Sequence, residues 1–256
     1  MSASTCYLLL SKPVFAVKRL LNRYGYTLAR TGLGFIDAPS TVAAARAKGM
    51  SVCDYRESME DDPRKKGRRD RIISRLKAAG IFRGASAVCE IGAGTGMYLE
   101  KVIELARPAS YEVYETDTGW VQFLKSEYGN RQGTKLICHP ADGATLSFTP
   151  ENSLDLVQAH GVFVYLPLMQ SLRYLKECAR VCRPGSHLVF DCYLDTTFSS
   201  LAVAEAWLSG PWQFPVIVPK KLLEEFAAAH GFKCIDSFSE IHGSGSVDYF
   251  VWRKVG

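Results

Sequence analysis

Apolar residues recur along this chain in two alternating rhythms. Short runs at Ala87–Ile91, Tyr111–Glu115, Lys135–Cys138, Leu154–Ala159 and His187–Leu194 have the length and composition of buried strands. Between them the apolar positions fall three and four apart: Ile72, Ile73, Leu76 and Ala79; Tyr98, Val102 and Leu105; Val121, Leu124 and Tyr128; Leu168, Leu172, Leu175, Ala179 and Cys182; Leu222, Leu223 and Phe226. These are inward stripes of helices, and strands alternating with helices predict an α/β fold with a doubly wound sheet. The punctuation agrees, with Asp62-Pro63 and Asp117 as helix starts and Gly80, Arg183-Pro184-Gly185 and Gly231 as stops. Phe232–Glu240 and Val247–Lys254 read as a closing strand pair across His242-Gly243-Ser244-Gly245. Residues 1–69 lack a sustained period and include the turn-rich stretch from Thr31 to Ser40, so they read as a helical or irregular extension to a main domain spanning 70–256.

One stretch stands apart from this regular pattern. Ala87-Val88-Cys89-Glu90-Ile91 runs into Gly92-Ala93-Gly94-Thr95-Gly96, and a helical stripe starts directly afterwards. A strand, a glycine turn and a helix form a cradle in which the backbone passes close beneath a nucleotide-like ligand. The dinucleotide spacing G-x-G-x-x-G needs a glycine where this chain has Met97, which disfavours NAD.

The pattern from Glu90 through Gly92, Gly94 and Gly96 resembles motif I of the class I S-adenosylmethionine-dependent methyltransferases. Two further stretches join the resemblance. Glu115 ends the second strand, 19 residues after Gly96, near the spacing at which a Rossmann-type acid takes a ribose hydroxyl pair. His139-Pro140-Ala141-Asp142-Gly143-Ala144-Thr145-Leu146-Ser147-Phe148 is similar to the family's G-D-A-x-x-L-P-F stretch, with Ala141 in place of the first glycine. The resemblance covers roughly residues 70–256 and implies a Rossmann-like seven-stranded sheet with an antiparallel last strand. It also implies S-adenosylmethionine as cofactor, with Glu90 at its methionine part, the three glycines beneath it, Glu115 at its ribose, Asp142 at its adenine, and Gly143 and Gln158 alongside. The R-P-G stop before the fifth strand is another habit of this family.

Composition adds limits. A chain of 256 residues with 47% hydrophobic content buries a full core, and a net charge of +5 permits an anionic partner without requiring one. The eight cysteines contain no C-x-x-C pair and several lie in apolar strands, which favours reduced, buried thiols and a cytoplasmic protein; no metal site is expected. No segment reaches the roughly 18–20 apolar residues of a membrane span. Val14, Val17, Leu20 and Leu21 with Lys18, Arg19 and Arg23 would suit either a helix docked on its own domain or one lying on a membrane surface. The run Arg64, Lys65, Lys66, Arg68, Arg69 and Arg71 crowds a helix start where the dipole is already positive, so it predicts a start near Asp70, a solvated face or an anion.

Catalytic candidates follow the strands, because ligands of open α/β sheets bind at the strands' carboxyl ends. They are His160, then Tyr193 and Asp195, then His242. An imidazole suits proton removal from an alcohol near neutral pH, so His160 is the first candidate base and His242 the second. Trp207, Trp212 and Phe214 would either pack an insertion or stack on a flat substrate. Gln158-Ala159-His160-Gly161 replaces the Asn/Asp-Pro-Pro-Tyr signature of nucleobase amino methylation. The opening Lys18–Tyr26 and the stretch from His242 to Tyr249 resemble bacterial sugar O-methyltransferases of surface-polysaccharide clusters. The resulting expectation is methyl transfer to a hydroxyl of a small molecule or glycan. The alternative is a non-catalytic subunit of the same fold, associated with nucleic acid through Arg64–Arg71.

Overall fold

The computed structural model describes residues 37–60, 62–198, 200–209, 215–242 and 245–255. The Lys18–Tyr26 stretch, Trp212, Phe214, Gly243 and Ser244 lie outside the described residues. The chain divides into two compact units, Met1–Glu60 and Asp61–Gly256. In the first, α1 (Ala38–Ala47) is capped by the Asp37 carboxylate, which accepts from the Ser40 amide at 3.1 Å. The second helix, α2 (Val52–Ser58), is capped by the Ser51 hydroxyl on the Asp54 amide at 3.0 Å.

The second unit opens with a 3₁₀ turn, Pro63–Lys65, capped by Asp62, and then α3 (Arg68–Ala78). There follow β1 (Ala87–Ile91), α4 (Met97–Ala106), β2 (Ser110–Tyr114), α5 (Thr118–Tyr128), β3 (Asn130–Arg131), β4 (Thr134–His139) and β5 (Leu154–Ala159). The remainder is α6 (Leu168–Val181), β6 (Cys182–Leu194), α7 (Ser200–Ser209), β7 (Ile217–Val218), α8 (Lys220–Ala229), β8 (Phe232–His242) and β9 (Gly245–Lys254). The strands form one sheet in the order β3-β4-β2-β1-β5-β6-β9-β8, with β7 beside β6. The pairs β1 with β2 and β5, β2 with β4, and β5 with β6 are parallel, whereas β9 runs antiparallel to both β6 and β8. This is the expected Rossmann-like sheet with its antiparallel closing strand.

The sheet has nine strands rather than the expected seven, because β3 and β7 are two-residue additions too short to show a period in sequence. The helix stop is also displaced. The sixth helix ends at Val181, and Arg183-Pro184-Gly185 lies inside the first part of β6. Pairing of β5 with β6 starts at Leu154 with Cys182 and shifts register before Leu156 meets His187, and Gly185 at φ +87° lets the chain make that detour.

Alternate residues of the central strands enter two cores. Cys89, Val157, Leu188 and Phe190 pack with Tyr174, Leu175 and Cys178 of α6 and with Leu223 of α8. Val88, Leu156, Val189 and Tyr249 pack with Ile72 and Leu76 of α3, Leu99 and Val102 of α4, and Leu124 of α5. Burial on both faces explains why these strands read as unbroken apolar runs. Cys53, Cys89, Cys138, Cys178, Cys182, Cys192 and Cys234 form no disulfide. Among the described residues no helix is long and apolar enough to cross a membrane, and no group of His, Cys, Asp or Glu has the arrangement of a metal site.

The basic run is held within the second unit. Arg71 pairs with Glu240 at 2.7 Å and donates to the carbonyls of Lys66 and Arg64, Arg75 pairs with Asp236 at 2.8 Å, and Arg68 donates to the Ile241 carbonyl at 3.0 Å. These bonds tie α3 along β8, so the helix starts at Arg68 rather than near Asp70.

Candidate functional site

The glycine turn lies at the carboxyl end of β1, in the middle of the parallel part of the sheet. Gly92, Gly94 and Gly96 all have left-handed φ values, of 67°, 50° and 76°. Their surroundings differ in a way that matters. A Cβ at Gly92 would stand 2.7 Å from Val162 Cγ2, and one at Gly96 would stand 2.8 Å from Tyr128 Cε2. A Cβ at Gly94 would meet none of the described residues within 4 Å. Two glycines let the turn settle onto the protein, and the middle one faces open space.

Glu115 closes one side of this opening. Its carboxylate accepts from the Gly94 amide at 2.9 Å and, through the other oxygen, from the Asp117 amide at 2.9 Å. One strand further out, Asp142 takes the amides of Ala144 and Thr145 at 2.8 and 2.7 Å and the Thr145 hydroxyl at 2.8 Å. These donors hold its carboxyl below the usual aspartate range. Gly143, at φ +78°, gives its carbonyl to the Gln170 side chain. Gly94, Glu115 and Asp142 therefore follow β1, β2 and β4, which lie side by side.

Glu90 and Gln158 lie inside the protein. Glu90 is 1% exposed and Gln158 fully buried, and both turn into the protein, where Tyr111 and Gln158 donate to the same Glu90 oxygen at 2.5 and 3.2 Å. Gln158 also donates to the Tyr111 hydroxyl at 2.7 Å. Burial outweighs these bonds and raises the Glu90 carboxyl from 4.5 to about 7. The trio forms a buried polar cluster joining β1, β2 and β5.

A second polar group gathers at the carboxyl ends of β5 and β6. His160 is buried, stacked on Tyr98 with ring centroids 3.8 Å apart, and among the described residues neither ring nitrogen has a hydrogen-bond partner. Burial, with help from the Arg68 guanidinium, lowers it from 6.5 to about 3. Asp191 of β6 accepts the Gly161 amide at 2.7 Å, and burial raises its carboxyl from 3.8 to about 6. His242 lies on the other side of Gly161, its Nε2 standing 3.6 Å from where a Cβ on Gly161 would be. Its Nδ1 is 3.1 Å from the Tyr193 hydroxyl, and Nε2 is 3.5 Å from that of Tyr165.

Tyr193 and His242 are thus in direct contact, whereas the His160 ring stacks on Tyr98. Asp195 instead caps α8, accepting from the Lys220 amide at 2.9 Å. Trp207 donates its indole N–H to the Pro215 carbonyl at 2.9 Å. Sequence reasoning missed Tyr98, Tyr165 and Asp191, whose apolar or strand context gave no sign of them, and it grouped Arg68 with a solvated run.

A family model described as a methyltransferase domain matches residues 89–190, which holds the glycine turn, Glu115, Asp142 and His160. A malonyl-acyl-carrier-protein O-methyltransferase of Methylococcus capsulatus is 25% identical over 143 residues, 56% of this chain. The matched part is 50% of that relative, so the chain spans about half the length of the curated protein it matches. Among solved structures, magnesium protoporphyrin IX methyltransferase from Synechocystis has a TM-score of 0.58 at 13% identity, covering 85% of this chain and all of that one. An N-methyltransferase from Bradyrhizobium japonicum, solved with S-adenosyl-L-homocysteine, has a TM-score of 0.56 at 17% identity over 77% of this chain and 90% of that one. At such identities these structures carry the fold.

Proposed function

We propose that this chain, which carries a methyltransferase domain on the fold of the class I S-adenosylmethionine-dependent methyltransferases, moves a methyl group from S-adenosylmethionine to a hydroxyl oxygen of a small-molecule or glycan acceptor. The observation that carries the reading is the open face of Gly94 between two glycines sealed against the protein, with the Glu115 carboxylate at its side. A backbone without a side chain admits the cofactor, and Glu115 retains lone pairs for a hydroxyl pair. Asp142 would receive the adenine amino group. Glu90 and Gln158, bonded to each other and to Tyr111, would support the end of β1 behind the turn.

S-adenosylmethionine supplies an electrophilic methyl, so the protein's task is to align an acceptor, exclude water and remove a proton. The Arg68 guanidinium disfavours a second cation in this cluster. It lowers the affinity of His160 for a proton and opposes the upward push of burial on Tyr98, Asp191, Tyr193 and Tyr249. A cation so placed disfavours an ammonium acceptor, while burial still leaves the surrounding phenols and the Asp191 carboxyl holding their protons more tightly than usual. His160 at about 3 does not hold a proton near neutrality, so proton removal passes to His242. The nucleic-acid alternative draws less support, since Arg71 and Arg75 are paired with Glu240 and Asp236.

Calorimetric titration with S-adenosylmethionine and S-adenosylhomocysteine tests the reading. The wild type is expected to bind both, and Gly94→Arg, which fills the open face, to weaken binding by about 100-fold or more, or about 2.7 kcal/mol. A folded wild type that binds neither ligand overturns it.

A further inference from the structure

Tyr193 is the second-to-last residue of β6 and is completely buried. Its hydroxyl oxygen lies 3.0 Å from the carbonyl oxygen of His242 and 3.1 Å from Nδ1 of the same residue. A phenol has one proton to give, and a carbonyl oxygen can only accept. The phenol proton therefore goes to the carbonyl, and the contact with Nδ1 is a hydrogen bond in which Nδ1–H donates to the phenol oxygen. In a neutral imidazole with Nδ1 protonated, Nε2 carries the lone pair.

The Tyr165 hydroxyl, itself partly exposed, stands 3.5 Å from Nε2 and donates to that lone pair until an acceptor hydroxyl takes its place. Nε2 lies beside Gly161, whose amide is fixed by Asp191 at 2.7 Å. The next residue, Val162, is the one that a Cβ on Gly92 would strike. Gly161 and Val162 thus span from His242 to the glycine turn. The preceding backbone is fastened as well, because Arg68 donates to the Ile241 carbonyl at 3.0 Å.

We infer that Tyr193 is a positioning residue that locks His242 in its Nδ1–H tautomer and so presents Nε2 to the acceptor hydroxyl at the cradle. The inference rests on the methyl-transfer reading above. In the step it serves, the acceptor O–H bond breaks and its proton goes to Nε2. The oxygen forms a bond to the methyl carbon while the carbon–sulfur bond breaks, leaving its electron pair on sulfur. The imidazolium that results still donates Nδ1–H to Tyr193, which holds the ring in place until the proton leaves.

Long-range ¹H–¹⁵N NMR of the ¹⁵N-labelled full chain reads the tautomer directly, with His242→Gln assigning the signals. The wild type is expected to show a protonated Nδ1 and an unprotonated Nε2 on His242 at neutral pH. Tyr193→Phe, which removes the acceptor of Nδ1–H, is expected to shift the population toward Nε2–H, whereas Tyr165→Phe leaves the Nδ1–H form in place. A wild-type Nε2–H tautomer, or an unchanged tautomer in a folded Tyr193→Phe, overturns the lock. Titration of the same samples with S-adenosylmethionine separates the two claims. Tyr193→Phe is expected to bind within about twofold of the wild type, and a wild type that shows the Nδ1–H tautomer but binds no cofactor overturns the function while leaving the lock intact.

Discussion

At Gly96 the backbone turns with φ 76°, and an added Cβ would sit 2.8 Å from Tyr128 Cε2 and 2.9 Å from Leu124 Cδ2. Gly96→Ala combines that clash with a strained backbone and is expected to cost about 2–4 kcal/mol in denaturant unfolding. Gly94→Ala meets none of the described residues and is expected to cost only about 1 kcal/mol by the same measurement, from backbone strain. At Glu90 the relevant variable is pH. Its carboxyl, raised from 4.5 to about 7, binds a proton more tightly in the folded protein than in the unfolded chain. Its contribution is therefore present below about pH 4.5 and is lost as pH rises through about 7, and Asp191, raised to about 6, acts in the same direction. His160, lowered to about 3, acts in the opposite direction below about pH 6.5, so the test is the difference between variants: Tm is expected to fall less between about pH 5 and about pH 8 in Glu90→Gln than in the wild type. An equal fall in the variant would remove Glu90 as its source.

The basic helix α3 shows how an element's charges are settled by its neighbours. In sequence, Arg64 to Arg71 crowd a positive helix end, yet α3 lies against β8, where Glu240, Asp236 and the Ile241 carbonyl receive its guanidinium groups. The Arg71–Glu240 pair is half exposed on the arginine side, so Arg71→Ala is expected to cost about 1 kcal/mol or less and to matter less at high salt. Arg69 is a different case. Its side chain is 8% exposed and faces Glu100 at 3.6 Å, and Glu100 also holds Arg131 at 3.1 Å. Glu100→Ala leaves a buried cation without that partner and is expected to cost about 2 kcal/mol or more, which chemical denaturation of the two variants side by side would resolve.

At the scale of the molecule, among the described residues both cores draw only on positions from Ile72 onward, and none comes from 37–60. A fragment starting at Asp61 is expected to unfold in one cooperative transition with its cofactor affinity retained, as circular dichroism and calorimetry would report. Loss of the folded sheet in that fragment would show that the first unit is needed for the second.

The sequence by itself determined the order of strands and helices, the glycine turn, and the acids Glu115 and Asp142 at neighbouring strand ends. Each of these follows from local chemistry: period two or unbroken apolar runs for strands, three-and-four spacing for helices, and glycine where φ is positive. Tertiary structure alone decided the rest. Glu90 became a buried residue because its strand is covered on the face that carries it. His160 lost its basicity because Tyr98, far from it in sequence, covers its ring while Arg68 adds positive charge nearby. Tyr193 and His242, 49 residues apart, meet only because the closing hairpin returns antiparallel beside β6. Hydrogen-bond partners, burial and pKa depend on which surfaces meet, and no periodicity along the chain records that.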